Sequence, residues 1–208
     1  TGALGLLHLD DSGQVLANAT GGASATLGAT DQPETIDPVL STGRFAGGLA
    51  FDANEGDLVS WPLAGGGHAD FAIELWASPS SLPGTRDIVL SGDGRIAVRA
   101  TGSGGNVLFA ATVIDGSGVS HTVSSAAVGA GAWHHVIASL SDATLRLWVD
   151  GARTEVGDSR PGMAPAFDSV QLGGAYSGGV DEVWLSGSAI TSDEAARGRF
   201  CPTSGVVY

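Results

Sequence analysis

Residues 132–151, AWHHVIASLSDATLRLWVDG, decide the fold. Trp133, His135, Ile137 and Ser139 alternate with His134, Val136, Ala138 and Leu140. That is the period of two of a β-strand, in which successive side chains point to opposite faces. Ser141-Asp142-Ala143 breaks the run, and Leu145, Leu147 and Val149 then share one face of a second strand. Asp150-Gly151 is a hairpin signal, because Gly takes φ > 0 at little cost. The stretch predicts an antiparallel pair, with Trp133, Ile137, Leu145, Leu147 and Val149 in one sandwich core.

The same grammar extends outward in both directions. Strand-like runs are expected at 1–10, 43–53, 58–63, 70–77, 87–91, 95–100, 106–114, 119–123, 167–172 and 180–185, each closed by Gly, Asp, Asn or Pro. Residues 17–42, rich in Ala, Gly, Thr and Ser, read as loop with room for a short strand. Residues 191–199 suit a short helix, with Thr191 or Ser192 as N-cap and Asp193 and Glu194 in its first turn. Roughly a dozen short strands with turns every 8–12 residues predict an all-β, two-sheet antiparallel sandwich. No repeat or linker divides it, so residues 1–208 read as one domain, with 189–208 as a C-terminal tail.

Composition narrows the function. The chain carries 22 acidic and 9 basic residues, a net charge of −13, and all its basic residues are arginine. Nucleic acid and anionic lipid both need a cationic face, so neither is an expected partner. No apolar run is long enough to insert in a membrane. Thr1-Gly2 runs directly into strand-like sequence, which suggests a domain excised from a larger multidomain chain. The acids are mostly Asp, which suits turn chemistry. Cys201 is alone, so it is either a buried thiol or the partner of a cysteine elsewhere.

Catalytic patterns are weak. Retaining glycoside hydrolysis needs two carboxyls about 5 Å apart, and no strand carries acids at i and i+2. Glu74 is flanked at those positions by Ala72 and Trp76, and Glu182 by Trp184. There is no G-x-S-x-G elbow, no lysine for Schiff-base chemistry, and no lysine after the glycine runs. His134 and His135 project to opposite strand faces, so they do not share a metal, and His8, His68 and His121 are isolated. Alternation places Asp181 on the face of Val183 and Leu185, and a carboxylate there requires a partner.

Several stretches, in order, resemble the laminin G-like branch of the concanavalin A-like lectin superfamily. They are GLLHLD at 5–10, GRFAGGLAFD at 43–52, DFAIELWASP at 70–79, AWHHV at 132–136, LRLWVDG at 145–151 and VDEVWL at 180–185. The resemblance implies a jelly-roll that is mostly a recognition fold found outside cells or at the cell surface, and not an enzyme. It implies a structural Ca²⁺ held by Asp181 with Asp10, Asp11 or Asp31 and main-chain oxygens, since Ca²⁺ accepts carbonyls readily. Trp76 and Trp133 fall at landmark positions and are expected in the core. Trp61, Trp148 and Trp184 are freer to stack on sugars unless their strands are covered on both faces. The expected ligand-binding set is Trp148, Trp184 and Tyr176. The leading reading is a non-catalytic module of a secreted or cell-surface protein that binds a glycan or glycoprotein. The alternatives are an architectural adhesin domain with no ligand pocket and, third, a glycoside hydrolase.

Overall fold

The computed structural model describes residues 2–64, 66–80, 83–157 and 167–200, with backbone alone at Glu194 and 198–200. Cys201 lies outside the described residues. Two antiparallel sheets and one short helix account for nearly all of the rest.

The first sheet runs β15 (Ala152–Val156), β14 (Thr144–Val149), β13 (His134–Ser141), β7 (Phe71–Pro79), β17 (Gly178–Ser186), β5 (Gly47–Phe51), β4 (Val39–Thr42), with β1 (Ala3–Leu7) also paired to β17. The second runs β11 (Ser120–Ser124), β10 (Asn106–Ile114), β9 (Ile96–Ser103), β8 (Thr85–Ser91), β16 (Ser169–Gly173), β6 (Leu58–Pro62), β3 (Ala25–Leu27), β2 (Val15–Leu16), with β12 (Val128–Gly129) on β10. This is the two-sheet sandwich that the alternation predicts. The short β2 and β12 and the polar β15 are additions, and residues 17–42 hold two strands, β3 and β4, where the sequence leaves room for one; these pieces are too short or too polar to show an apolar period.

The hairpins follow from local chemistry. Asp150 and Gly151 both take positive φ, 51° and 77°, so the turn twists with its strands and Val149 pairs with Ala152. Asp142 and Ala143 do the same at 47° and 58°, closing β13–β14 with two residues and no glycine. Inward side chains of both sheets form one core, among them Phe71, Ile73, Leu75, Val136, Ala138, Leu140, Leu145, Leu147 and Val149. At roughly 1.5–3 kcal/mol for each large apolar side chain buried, this cluster is the main source of stability.

Part of the outer face of the first sheet is covered too, by helix α1 (Asp193–Phe200) and the segment leading into it. Leu6, Ala72, Ile137, Trp148, Trp184, Ile190 and Ala196 form a second, smaller cluster there. Ser192 caps the helix through Oγ, which accepts from Ala195 N at 3.1 Å. Ser139 Oγ accepts from Ile190 N at 2.9 Å and holds the lead-in segment to β13. The expected single core therefore needs correction. Leu145, Leu147 and Val149 lie inside the sandwich, Ile137 lies in the outer cluster, and Trp133 belongs to neither.

Candidate functional site

Register places the outer face of the first sheet in rows. Ala50, Gly179 and Ser78 are cross-strand partners, and Trp133 stands beside Ser78, one residue before His134. The next row is Asp181, Trp76 and His135. Beyond it come Trp184, Glu74, Ile137 and Trp148.

The first row forms a trough of about 360 Å³, lined by Ser41, Thr42, Ser78, Ser80, Trp133 and Gly179 among others. Its floor is small by sequence: alanine, glycine and serine. Trp133 is half-buried, and its indole leans on Gly179, where a Cβ would come within 2.7 Å of Cη2. A glycine inside a strand often marks such a close approach, and Gly178-Gly179 is the signal that sequence reasoning missed. The lining residues contain no carboxylate, histidine or arginine.

At the second row the turn joining β4 and β5 folds over the sheet. Arg44 is exposed, with its guanidinium carbon 4.7 Å from the Trp76 ring centroid and 5.0 Å from that of Phe45. The two rings meet edge to face at 89°. Beneath the same turn lies Asp181, fully buried, with Oδ2 accepting from Phe45 N at 2.8 Å and Oδ1 without a hydrogen-bond partner. Burial, and then the charge of Glu182, push its carboxyl up to about 7, against the opposing pull of nearby backbone amides.

Asp181 faces away from Val183 and Leu185, contrary to simple alternation. A bulge between Asp181 and Trp184, with Glu182 at φ 52°, shifts the register and turns the acid outward. Glu182 is itself buried and paired with His8 at 2.9 Å, which ties the opening segment to the closing strand. Glu74 is buried with Oε1 2.8 Å from His135 Nε2, and the His135 ring packs on Trp76 at 5.0 Å.

The expected stacking residues need correction. Trp148 is 1% exposed, with Nε1 donating to Asp193 Oδ1 at 3.0 Å, because α1 covers its strand. Trp184 is buried in the same cluster. Tyr176 is wholly buried in the sandwich core, its hydroxyl donating to Gly179 O at 3.1 Å, and burial pushes its phenol well above the usual range. None of the three offers a ring face to a ligand.

The expected calcium ligands do not converge. Asp11 Oδ2 accepts from Ala17 N at 2.8 Å, Asp31 Oδ1 from Gln32 Nε2 at 3.2 Å, and exposed Asp10 packs against Gly47. Asp181 Oδ2 is taken by the Phe45 amide. Among the described residues, no three of His, Cys, Asp and Glu are arranged to hold a metal ion. The four acids therefore do not form the expected set.

A second hollow of about 330 Å³ lies on the outer face of the second sheet, lined by Ser60, Leu90, Gly92, Ser169 and Gln171 among others. The row Ser60, Gln171, Leu90, Ala97, Thr112 and Thr122 crosses that face without an aromatic ring.

Comparisons with known proteins agree with this architecture. The Domain 4 structure of AbnA, a GH43 extracellular arabinanase from Geobacillus stearothermophilus, in complex with arabinotriose, superposes with a TM-score of 0.68 at 15% identity, covering 94% of this chain and 97% of that one. The receptor binding domain of botulinum neurotoxin mosaic serotype C/D gives 0.70 at 10% identity, covering 96% of this chain and 50% of that chain. Trypanosoma rangeli sialidase in complex with sialic acid gives 0.66 at 17% identity, covering 96% of this chain and 32% of the enzyme. The chain thus spans half or less of the toxin and sialidase chains it matches. No curated protein matches it in sequence. A laminin G-like family model, described as the concanavalin A-like lectin/glucanases superfamily, matches residues 52–196, and the chain belongs to that superfamily.

Proposed function

We propose that this domain is a non-catalytic recognition module that takes a glycan into the Trp133 trough. The observation that carries the reading is a half-buried indole over a glycine floor, ringed by the hydroxyl-bearing Ser41, Thr42, Ser78 and Ser80. A sugar offers C–H groups to an aromatic face and hydroxyls to short polar side chains. An indole already held against Gly179 loses little freedom on binding. The volume lies within the range of small-molecule sites. Arabinotriose in complex with a domain of this fold supports the reading.

The composition of the trough supports a non-catalytic reading. General acid–base chemistry requires a titratable group within hydrogen-bond reach of the glycosidic oxygen, and the lining supplies none. Glu74, the acid on the central strand, is fully buried against His135. We place the domain in a larger extracellular or cell-surface protein. One observation favours an architectural role without a ligand: among the described residues, the row from Ser60 to Thr122 on the outer face of the second sheet carries no aromatic platform. A glycan array followed by calorimetry tests the choice. Trp133→Ala should abolish binding while the protein remains folded. No binding to any glycan, or binding indifferent to Trp133→Ala, overturns the assignment.

A further inference from the structure

The arginines of this acidic chain are mostly engaged. Among the described residues, Arg95 pairs with Asp93, Arg99 with Asp87, Arg146 with Glu155, and Arg153 with Glu155 and Asp193. Arg44, Arg86 and Arg197 have no such partner among the described residues. Arg44 is exposed, and buried Asp181 lies under its own turn but is served there by the Phe45 amide. Its contacts are two aromatic rings set at right angles, Phe45 and Trp76.

A guanidinium held beside two rings has already lost much of its rotamer freedom, and among the described residues no acid takes up its N–H groups. That arrangement is suited to a planar anion, which it can meet with two parallel hydrogen bonds. The position fits as well. Thr42, two residues before Arg44, lines the trough, and Trp76 lies one outward position from Ser78 on the same strand, about 7 Å along it. Arg44 is not itself in the lining, but it is two residues from Thr42 and lies over Trp76, which is two residues from Ser78, so it borders the trough.

We infer that the ligand of the Trp133 trough is an acidic saccharide whose carboxylate is received by Arg44. This rests on the glycan reading above and narrows its substrate class.

The net charge of −13 opposes an anion at long range. Screening confines that effect to about 8 Å at physiological salt. Within that radius the trough lining carries no acid, Asp181 is buried, and Glu182 is occupied by His8 at 2.9 Å. Asp10, against Gly47, is the exposed acid at this turn. Long-range repulsion slows encounter, while the short-range bidentate contact sets selectivity. The competing explanation is that Arg44 merely clamps the turn to the sheet.

Calorimetry with matched pairs separates these ideas: trigalacturonate against its methyl ester, and 3′-sialyllactose against lactose, each at low and high ionic strength. The acid of at least one pair should bind about tenfold tighter than its neutral partner, the worth of one charged hydrogen-bonding contact. Arg44→Ala should bring the two to equal affinity, Arg44→Lys should restore only part of the preference, and Trp133→Ala should abolish both. Equal affinity for acid and neutral partner in the unaltered protein overturns the acidic ligand and leaves the glycan reading standing. So does an Arg44→Ala variant that loses both partners equally with a lowered melting temperature, which is the clamp. No binding by any of the four, with another neutral glycan bound on the array, overturns the acidic ligand alone; no binding to any glycan overturns both.

Discussion

The indole of Trp133 rests on the α-carbon of Gly179: a methyl group at 179 would lie 2.7 Å from Cη2 and 2.9 Å from Cζ2. The residues are 46 apart in sequence, Gly179 on β17 and Trp133 just before β13, with β7 between those strands. Together they set the depth of the trough, because the ring is held at the height of a missing side chain.

Gly179→Ala should push the ring outward. A packed contact that must open costs about 1–3 kcal/mol, and the trough loses its wall. A urea melt should show that loss, and saccharide binding should weaken. An alanine variant with unchanged stability and binding would mean that the ring has room to swing away.

Two tryptophans on the same sheet should behave differently. Trp148→Ala removes a side chain 1% exposed and breaks its bond to Asp193, so it should cost about 3–5 kcal/mol and loosen α1. Trp133→Ala removes a half-buried ring, and should cost about 1–2 kcal/mol. Denaturant midpoints check the order. A reversed order would return Trp133 to the core.

The fold was legible because its signals are local. The alternation through 134–141, the Asp150-Gly151 turn and the Ser192 cap each depend on neighbouring residues. The site was not, because its relations are long-range. Alternation shows that Trp148 points away from Leu147 and Val149, but not that α1 covers that side. It places Asp181 with Val183 until the bulge at Glu182 turns it round. Its Phe45 partner is 136 residues away. Nothing local marks Trp133 as the half-buried member of the tryptophan set, and only the paired glycines at 178–179 hint at what lies over them.

Calcium should not stabilise this domain through Asp181. With the Phe45 amide directed at Oδ2 and the acids at 10, 11 and 31 elsewhere, the melting midpoint should be equal in Ca²⁺ and in chelator at constant ionic strength. An ion held by the folded state at about 100 times its dissociation constant would add about 2.7 kcal/mol. A rise of that size, lost in Asp181→Asn, would restore the metal.

Protonation of Asp181 should instead appear in the pH dependence of stability. Burial raises its carboxyl from 3.8 to about 7 in the folded chain. Between those values the folded state holds a proton that the unfolded state has released, so stability falls as pH rises through the window and is greatest below it. The contribution of one such group is at most about 4 kcal/mol. Asp57 and Glu182, also raised by burial, act in the same direction. His134, raised by its bond to Asp150, adds a further loss as pH climbs past its ordinary value of 6.5. Asp115 and Asp150, lowered by histidine and backbone bonds, act with opposite sign only below about pH 4. Urea melts from about pH 4.5 to 8 should therefore show declining stability. Asp181→Asn keeps an acceptor for the Phe45 amide and removes the charge, so it should flatten part of that slope and be more stable than the unaltered protein at the alkaline end. A variant whose profile runs parallel to the unaltered protein would show that Asp181 stays ionised throughout.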